Sequence, residues 1–311
     1  MKSLPKNEHS ADYERGFERC VVTFIDILGY KHILKTRHAG DIVNIIKNLR
    51  EFTNSPDRDD EAAADEDDFR LYTQAFSEAV SDAVVRVRTI DTQSKDGPFV
   101  YELIDLMHAV IECVNQGIFV RGGMTIGPVH IGRDGKGPIF GNAMVRAYEI
   151  ETNEAIYPRI MIDDAALAAY IGDKSLWQDG EFSQYEANSA LPFLGVAEDG
   201  SYFLDYLRAA GPGEFDDGVV GHFSFLQRHR SLIIENLKTI DAKVRRKFIW
   251  LANYHNRSIS DLKQQYDMSD SDGSFMQEIG ISPDKLFADL MIDVHYPDII
   301  GTLNAIAKEE V

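Results

Sequence analysis

Residues 20–30 read Cys-Val-Val-Thr-Phe-Ile-Asp-Ile-Leu-Gly-Tyr. The stretch Cys20–Ile27 is β-branched or aromatic with almost no polar break, the pattern of a strand covered on both faces. Asp26 departs from that pattern, because a carboxylate inside an apolar run is costly unless a cation or hydrogen-bond donors meet it. Gly29 interrupts the strand, and Lys31–Phe52 then carries Ile33, Ile42, Ile45, Ile46 and Leu49 at helical spacing, predicting one helix there.

Working outward, Asn54–Asp68 holds Pro56 and a crowd of acidic side chains, a solvated loop with no chemistry of its own. Phe69–Ile90 reads as two strands joined by a tight connection, and Phe99–Gln116 as a helix with Leu103, Leu106, Met107, Val110, Ile111 and Val114 on one face. Ile118–Ile131 is strand-like again, Arg133–Pro138 a glycine-rich turn, Phe140–Glu151 a helix and Arg159–Ile162 a short strand. The order through residue 131 is β-α-β-β-α-β, which predicts an α+β fold, an α/β sandwich with a ferredoxin-like core. Ser201–Tyr206 is expected as a late strand. Helices follow, two over His222–Asn256 and a last pair over Pro283–Glu310. The expected organisation is a flexible lead-in over 1–18, a main domain over 19–210 and a helical region over 211–311.

Bulk composition narrows the function. Hydrophobic residues make up 44% of the chain, enough for a sizeable core. The formal charge of −19 repels phosphate backbones, so direct binding to nucleic acid or an anionic membrane is not expected. Two cysteines, Cys20 and Cys113, far apart in sequence, exclude a disulfide framework and suit a reducing compartment. The opening residues lack the apolar core of a signal peptide, and no apolar run of about 18 residues occurs. A cytoplasmic protein is expected.

Three places carry candidate chemistry. Asp26 sits just before Gly29 and a helix start, where backbone N–H groups face an anion while the acid holds a metal; a triphosphate with divalent ions suits both features. The alternative is that Asp26 only caps the helix. Asp82, in Val80-Ser81-Asp82-Ala83, falls where the second strand turns into the third, next to the first strand in a βαββαβ sheet. It either converges with Asp26 on shared metals or is an ordinary turn aspartate. In Arg121-Gly122-Gly123-Met124-Thr125-Ile126-Gly127 the glycines imply that something approaches the strand backbone closely. Arg121 binds phosphate or forms an ion pair beneath the site. Lys136 reads as a turn residue, and His130 as a packing histidine rather than a general base. Trp250–His255 reads as a packing face between the helical part and the core, and His222, His229 and His255 lack the spacing of zinc ligands.

The strand ending in F-I-D-I-L-G-Y, the hairpin acid Asp82 and then R-G-G-x-x-x-G, in that order, resemble the class III nucleotidyl cyclases over roughly residues 20–165. The resemblance implies that Asp26, the carbonyl of Ile27 and Asp82 hold two metal ions, Mn²⁺ or Mg²⁺. It further implies that Phe24, Ile27, Leu28, Gly29 and Tyr30 line the nucleotide, with Glu78 and Pro138 at the base-reading positions. Where purine cyclases carry an Asn and an Arg on the helix, this chain has Val145 and Glu149; Glu78 stands in place of an adenine-reading Lys. Pro138 offers no donor to a base. With the A-Y-E-I-E helix end and the D-G-S-Y-F-L-D-Y and W-L-A-N-Y-H-N stretches, the pattern is similar to the pyrimidine cyclases of Pycsar anti-phage defence, reaching to about residue 256.

What this implies is a uridylate cyclase. The ribose 3′-oxygen of UTP attacks the α-phosphate and expels pyrophosphate, and the resulting cyclic UMP activates a separate effector that the enzyme need not bind. Arg121 is the expected stabiliser of the transition state, with Arg146 and Lys136 in reserve. A head-to-tail homodimer is expected with it. The alternatives are a cytidylate or purine cyclase, or a catalytically silent sensor that binds nucleotide.

Overall fold

The apolar run around Val21 and Val22 forms strand β1 (Glu18–Ile27). The computed structural model describes residues 15–53, 73–80, 83–92, 95–132, 138–178, 183–239, 241–269 and 280–294. It sets β1 inside a seven-stranded sheet with β2 (Ala75–Val80), β3 (Ala83–Thr89), β4 (Val120–Val129), β5 (Ile160–Ile162), β6 (Leu194–Val196) and β7 (Tyr202–Leu204). The order across the sheet is β2-β3-β1-β4-β5-β7-β6. Neighbouring strands among its first four are antiparallel in the ferredoxin-like arrangement, β5 joins β4 in parallel, and β7 and β6 extend the sheet antiparallel. The fold is therefore the α+β sandwich with a βαββαβ core that the strand and helix order predicts.

Both faces of β1 are covered, which is why its sequence is almost continuously apolar. One face carries α2 (Ala39–Thr53) and α3 (Pro98–Asn115); the other carries the shorter α4 (Asn142–Glu149), packed on β4 and β1. Beneath α3 lies an ionic cluster. The guanidinium of Arg86 donates to both oxygens of Glu102 at 2.9 Å, and that of Arg88 donates to Glu102 Oε2 at 3.0 Å. Both arginines also bind Asp105, and the Thr23 hydroxyl donates to Glu102 at 3.1 Å. Arg86, Glu102 and Thr23 are completely buried. Burial alone would raise the Glu102 carboxyl; the two arginines outweigh it and hold it below its ordinary range.

Two helices differ from expectation. The segment read as a single helix over Lys31–Phe52 is two, α1 (Tyr30–Thr36) and α2, because Arg37 leaves the helix with φ −109° and ψ 154°. Its guanidinium donates to the carbonyls of Gln116 and Gly117 at 3.3 and 3.1 Å, satisfying acceptors at the end of α3. The helix expected to start at Phe140 starts at Asn142 and runs on into a π-helical turn over Ile150–Glu154. Further along are α5 (Asp164–Gly172), α6 (Ser183–Ala190) and α7 (Tyr206–Ala209), then α8 (Gly218–Leu237), α9 (Ala242–Ser269) and α10 (Pro283–Leu290). Among the described residues no helix is long and apolar enough to cross a membrane.

The chain divides into two compact units, residues 1–229 and 230–311. Within the second, the buried His255 donates through Nε2 to the Leu290 carbonyl at 3.0 Å, and Asn256 exchanges two 2.8 Å hydrogen bonds with the Ile292 backbone. In the first, the Tyr206 hydroxyl lies 2.6 Å from Nε2 of the buried His229. These histidines are satisfied packing groups, in keeping with their lack of zinc-ligand spacing.

Candidate active site

Strand alternation puts Phe24 and Asp26 on the face of β1 that α4 covers, and pairing defines two rows across that face. In one row Glu78 (β2), Val85 (β3), Phe24 (β1) and Gly123 (β4) lie side by side. Two residues along, Ala83, Asp26 and Arg121 do the same. Asp82 and Lys136 lie outside the described residues, but Ala83, the residue bonded to Asp82, is the direct partner of Asp26.

Arg121 spans two acids. Its Nε and Nη2 both donate to Asp26 Oδ2 at 3.2 Å, and Nη2 also lies 2.5 Å from Glu151 Oε1, an ion-pair contact without hydrogen-bond geometry. Nη1 reaches the Ala155 carbonyl at 3.5 Å. The Asp26 side chain is 19% exposed and that of Glu151 only 4%. Of the two readings of Arg121, the ion pair is the one the geometry displays.

The reserve cation Arg146 is likewise engaged, donating to both oxygens of Asp163 at 3.1–3.2 Å and to Glu154 at 2.6 Å. The hydrogen bond to Asp163 leads in raising its already high pKa. Asp163 also accepts the Thr125 hydroxyl at 2.7 Å; burial would raise its carboxyl, but these donors hold it below its ordinary range.

The glycines of β4 answer the question their presence raises. A Cβ on Gly123 would stand 2.5 Å from Ile150 Cβ and 2.6 Å from the Ala147 carbonyl, and one on Gly127 would stand 3.1 Å from Ala143 Cβ. What approaches the strand at Gly123 and Gly127 is α4 with its π-helical continuation, so these two glycines serve that packing. That close approach brings Tyr148 edge-on to Phe24, ring centroids 5.4 Å apart at 73°. Phe140, Val145, Tyr148 and Ile156 are all substantially exposed.

At the far end of the first row, the exposed Glu78 accepts the backbone N–H of Ile139 at 3.4 Å. Glu78 and Pro138 are thereby brought together. His130 donates through Nδ1 to the Gly16 carbonyl at 2.8 Å and packs against Phe17 and Phe140, as a packing histidine should. After Asp26 the Ile27 side chain is buried, so only its backbone can face the site. The Leu28 N–H is already donated to the Phe119 carbonyl at 2.8 Å. A phosphate cradle is left with the groups that follow, where Gly29 (φ 76°) opens α1 in a left-handed conformation that favours glycine.

Sequence reasoning missed Glu151. Its signal was helical spacing: Ala143 and Ala147 face the sheet, and the next positions on that stripe are Ile150 and Glu151.

Among the described residues no three His, Cys, Asp or Glu side chains cluster as a metal site. The donors at hand are a partly exposed carboxylate and a backbone carbonyl, hard oxygens that fit Mg²⁺ or Mn²⁺ and not a soft metal. Arg121 is a resident cation on the same carboxylate with which such an ion must share it.

No protein-family signature matches the chain, and no curated protein matches it. Solved structures similar to it include the catalytic core of a rhodopsin-guanylyl cyclase with converted specificity in complex with ATPαS, 16% identical. That likeness covers 60% of this chain and 96% of that one at a TM-score of 0.38. The monomeric guanylyl cyclase domain of the RhoGC fusion protein from the aquatic fungus Blastocladiella emersonii is 14% identical, covering 60% and 95% at 0.36. A bacterial light-regulated adenylyl cyclase is 17% identical, covering 50% and 80% at 0.30.

Proposed function

We propose that this chain is a nucleotidyl cyclase that converts UTP to 3′,5′-cyclic UMP and pyrophosphate, producing a second messenger for antiviral defence. The observation that carries the reading is the placement of Asp26. It is a carboxylate at the end of a central strand, still partly open to solvent, with the chain neighbour of Asp82 directly opposite it. Arg121 already meets this acid, and the carboxylate's partial exposure supports a divalent cation that shares it.

Asp26, the Ile27 carbonyl and Asp82 are the residues that would hold Mn²⁺ or Mg²⁺, which when bound lower the pKa of the ribose 3′-hydroxyl and neutralise the phosphates. The chain's own groups orient the substrate: Phe24 and Tyr148 give an apolar wall beside Asp26, and Gly29 leaves backbone room for phosphate oxygens. Glu78 sits beside Pro138–Ile139 as an acceptor-only pair of positions. That chemistry disfavours adenine, whose exocyclic amine and ring nitrogens call for a mixed donor and acceptor set. An acceptor there takes the single imide N–H of uracil and equally the N–H donors of guanine, and the products of the test below separate the two. Arg121, held between Asp26 and Glu151, is assigned to positioning rather than to the transition state. The exposed Val145 and Tyr148, three apart on α4, support a homodimer that covers this helix.

The test is to incubate the purified protein with Mn²⁺ and each of the four ribonucleoside triphosphates separately and to identify products by mass. Cyclic UMP from UTP alone is expected, and Asp26→Ala should abolish it while leaving thermal unfolding in place. Cyclic AMP or GMP would replace this reading with a purine cyclase. Bound triphosphate with no cyclic product would replace it with a silent sensor.

A further inference from the structure

The π-helical turn after α4 has a geometric consequence at Asp26. Its defining hydrogen bond runs from the Ala155 N–H to the Ile150 carbonyl at 2.8 Å. A π-turn inserts one residue into a helix and is frequent at functional sites. Two groups of this segment meet the same guanidinium, the Glu151 carboxylate and the Ala155 carbonyl. Glu151 is buried and its Oε2 accepts the Thr152 hydroxyl at 3.0 Å, while its Oε1 meets Arg121. Arg121 thus meets a buried acid and the partly exposed Asp26 through the same Nη2.

The charges explain why two acids are needed. A lone arginine on Asp26 would cancel the carboxylate and compete with any cation. With Glu151 present, the three side chains sum to one net negative charge, and the guanidinium is shared between the buried Glu151, an ion-pair contact at 2.5 Å, and the partly exposed Asp26, which accepts its hydrogen bonds at 3.2 Å. We propose that Glu151 is the positioning residue of this site. It holds Arg121 in the sheet so that Asp26 stays oriented yet keeps its negative charge for a divalent cation. The inference rests on the reading of Asp26 as a metal ligand.

Binding of Mn²⁺ alone to the full chain, read from the electron paramagnetic resonance signal of free Mn²⁺ without nucleotide, tests it. Asp26→Ala defines the signal that belongs to this site; if wild type and D26A bind alike, the metal reading and this inference both fall. With that difference in hand, Glu151→Gln should weaken Mn²⁺ binding about tenfold, the effect of one screened unit charge at several ångströms. The double variant E151Q/R121Q removes the arginine that E151Q sets loose on Asp26, and binding should recover to the wild-type level or beyond. Recovery also answers the objection of misfolding, since the neutral pair leaves no unmatched buried charge. Wild-type affinity in E151Q, or loss that R121Q does not rescue, overturns the positioning role while leaving the Asp26 reading intact.

Discussion

Glu102→Gln is the most demanding test of how the first unit is held together. The substitution keeps the shape of a fully buried side chain and removes its charge. In the native cluster Arg86 and Arg88 are balanced by Glu102 and Asp105. After the change two buried guanidinium groups share Asp105, whose side chain is 32% exposed and better screened. Breaking a buried pair by neutralising one partner costs about 3–5 kcal/mol. For a unit of 229 residues this corresponds to a fall in Tm on the order of 10 °C, at about 2–4 °C per kcal/mol. Thermal and urea unfolding followed by circular dichroism would measure it. The double variant R86M/E102L provides the contrast, since it leaves Arg88 and Asp105 balanced and replaces a buried pair by apolar volume. It should cost less than E102Q even though it deletes more hydrogen bonds, with the Thr23 hydroxyl losing its acceptor there. A loss below about 1 kcal/mol in E102Q, or a double variant worse than the single, would refute the charge-balance argument.

Gly123→Ala should destabilise the first unit by about 1–3 kcal/mol through overpacking against Ala147 and Ile150, and Gly127→Ala by clearly less, because its contact is 3.1 Å rather than 2.5 Å; denaturant midpoints would rank the two. Stability should also fall on the acid side. Burial pushes His222 from 6.5 to about 4, and burial chiefly does the same to His255, so the folded state resists protons that the unfolded chain accepts. Each contributes stability that is full above about pH 6.5 and lost as pH falls toward 4, on the order of 3 kcal/mol at most. His222 stacks on Phe215 with its Nε2 buried and unpartnered, so His222→Phe should be near neutral at pH 7 and should flatten the acid slope of the first unit; an unchanged slope in melts from pH 7 to pH 4 would sink that account.

Much of this fold was legible because its strands obey simple periodicities. The run around Val21 and Val22 announced a strand covered on both faces, and the R-G-G-x-x-x-G spacing announced a close backbone approach. The approaching partner, α4, was itself readable as the helix carrying Ala143 and Ala147 four residues apart, matching Gly127 and Gly123. What could not be read was which polar residues pay for one another across the sheet. In Val85-Arg86-Val87-Arg88 the alternation suggests a polar face turned to water. The structure buries that face under α3, because Glu102 and Asp105, three apart on the helix, supply the opposing charge. Likewise the break at Arg37 carries no local signal, since the carbonyls that hold it belong to the end of α3 about eighty residues away.

The same limit explains the site. Asp26 stood out locally because it interrupts an apolar strand, whereas Glu151 is an unremarkable acid at the end of a helix until its register against β4 is known. Yet the two are parts of one electrostatic arrangement. Arg121 cannot remain half-buried beside Asp26 without pulling charge from a carboxylate that the proposed chemistry needs, and among the described residues α4 and its π-helical continuation pack on both β1 and β4 there. A compensating acid therefore had to come from α4 or its continuation. An ordinary α-helical end continues the stripe set by Ala143 and Ala147 to Glu151, and the π-turn then brings the Ala155 carbonyl to the same guanidinium. The irregularity in the helix and the acid in the strand are thus two ends of a single requirement.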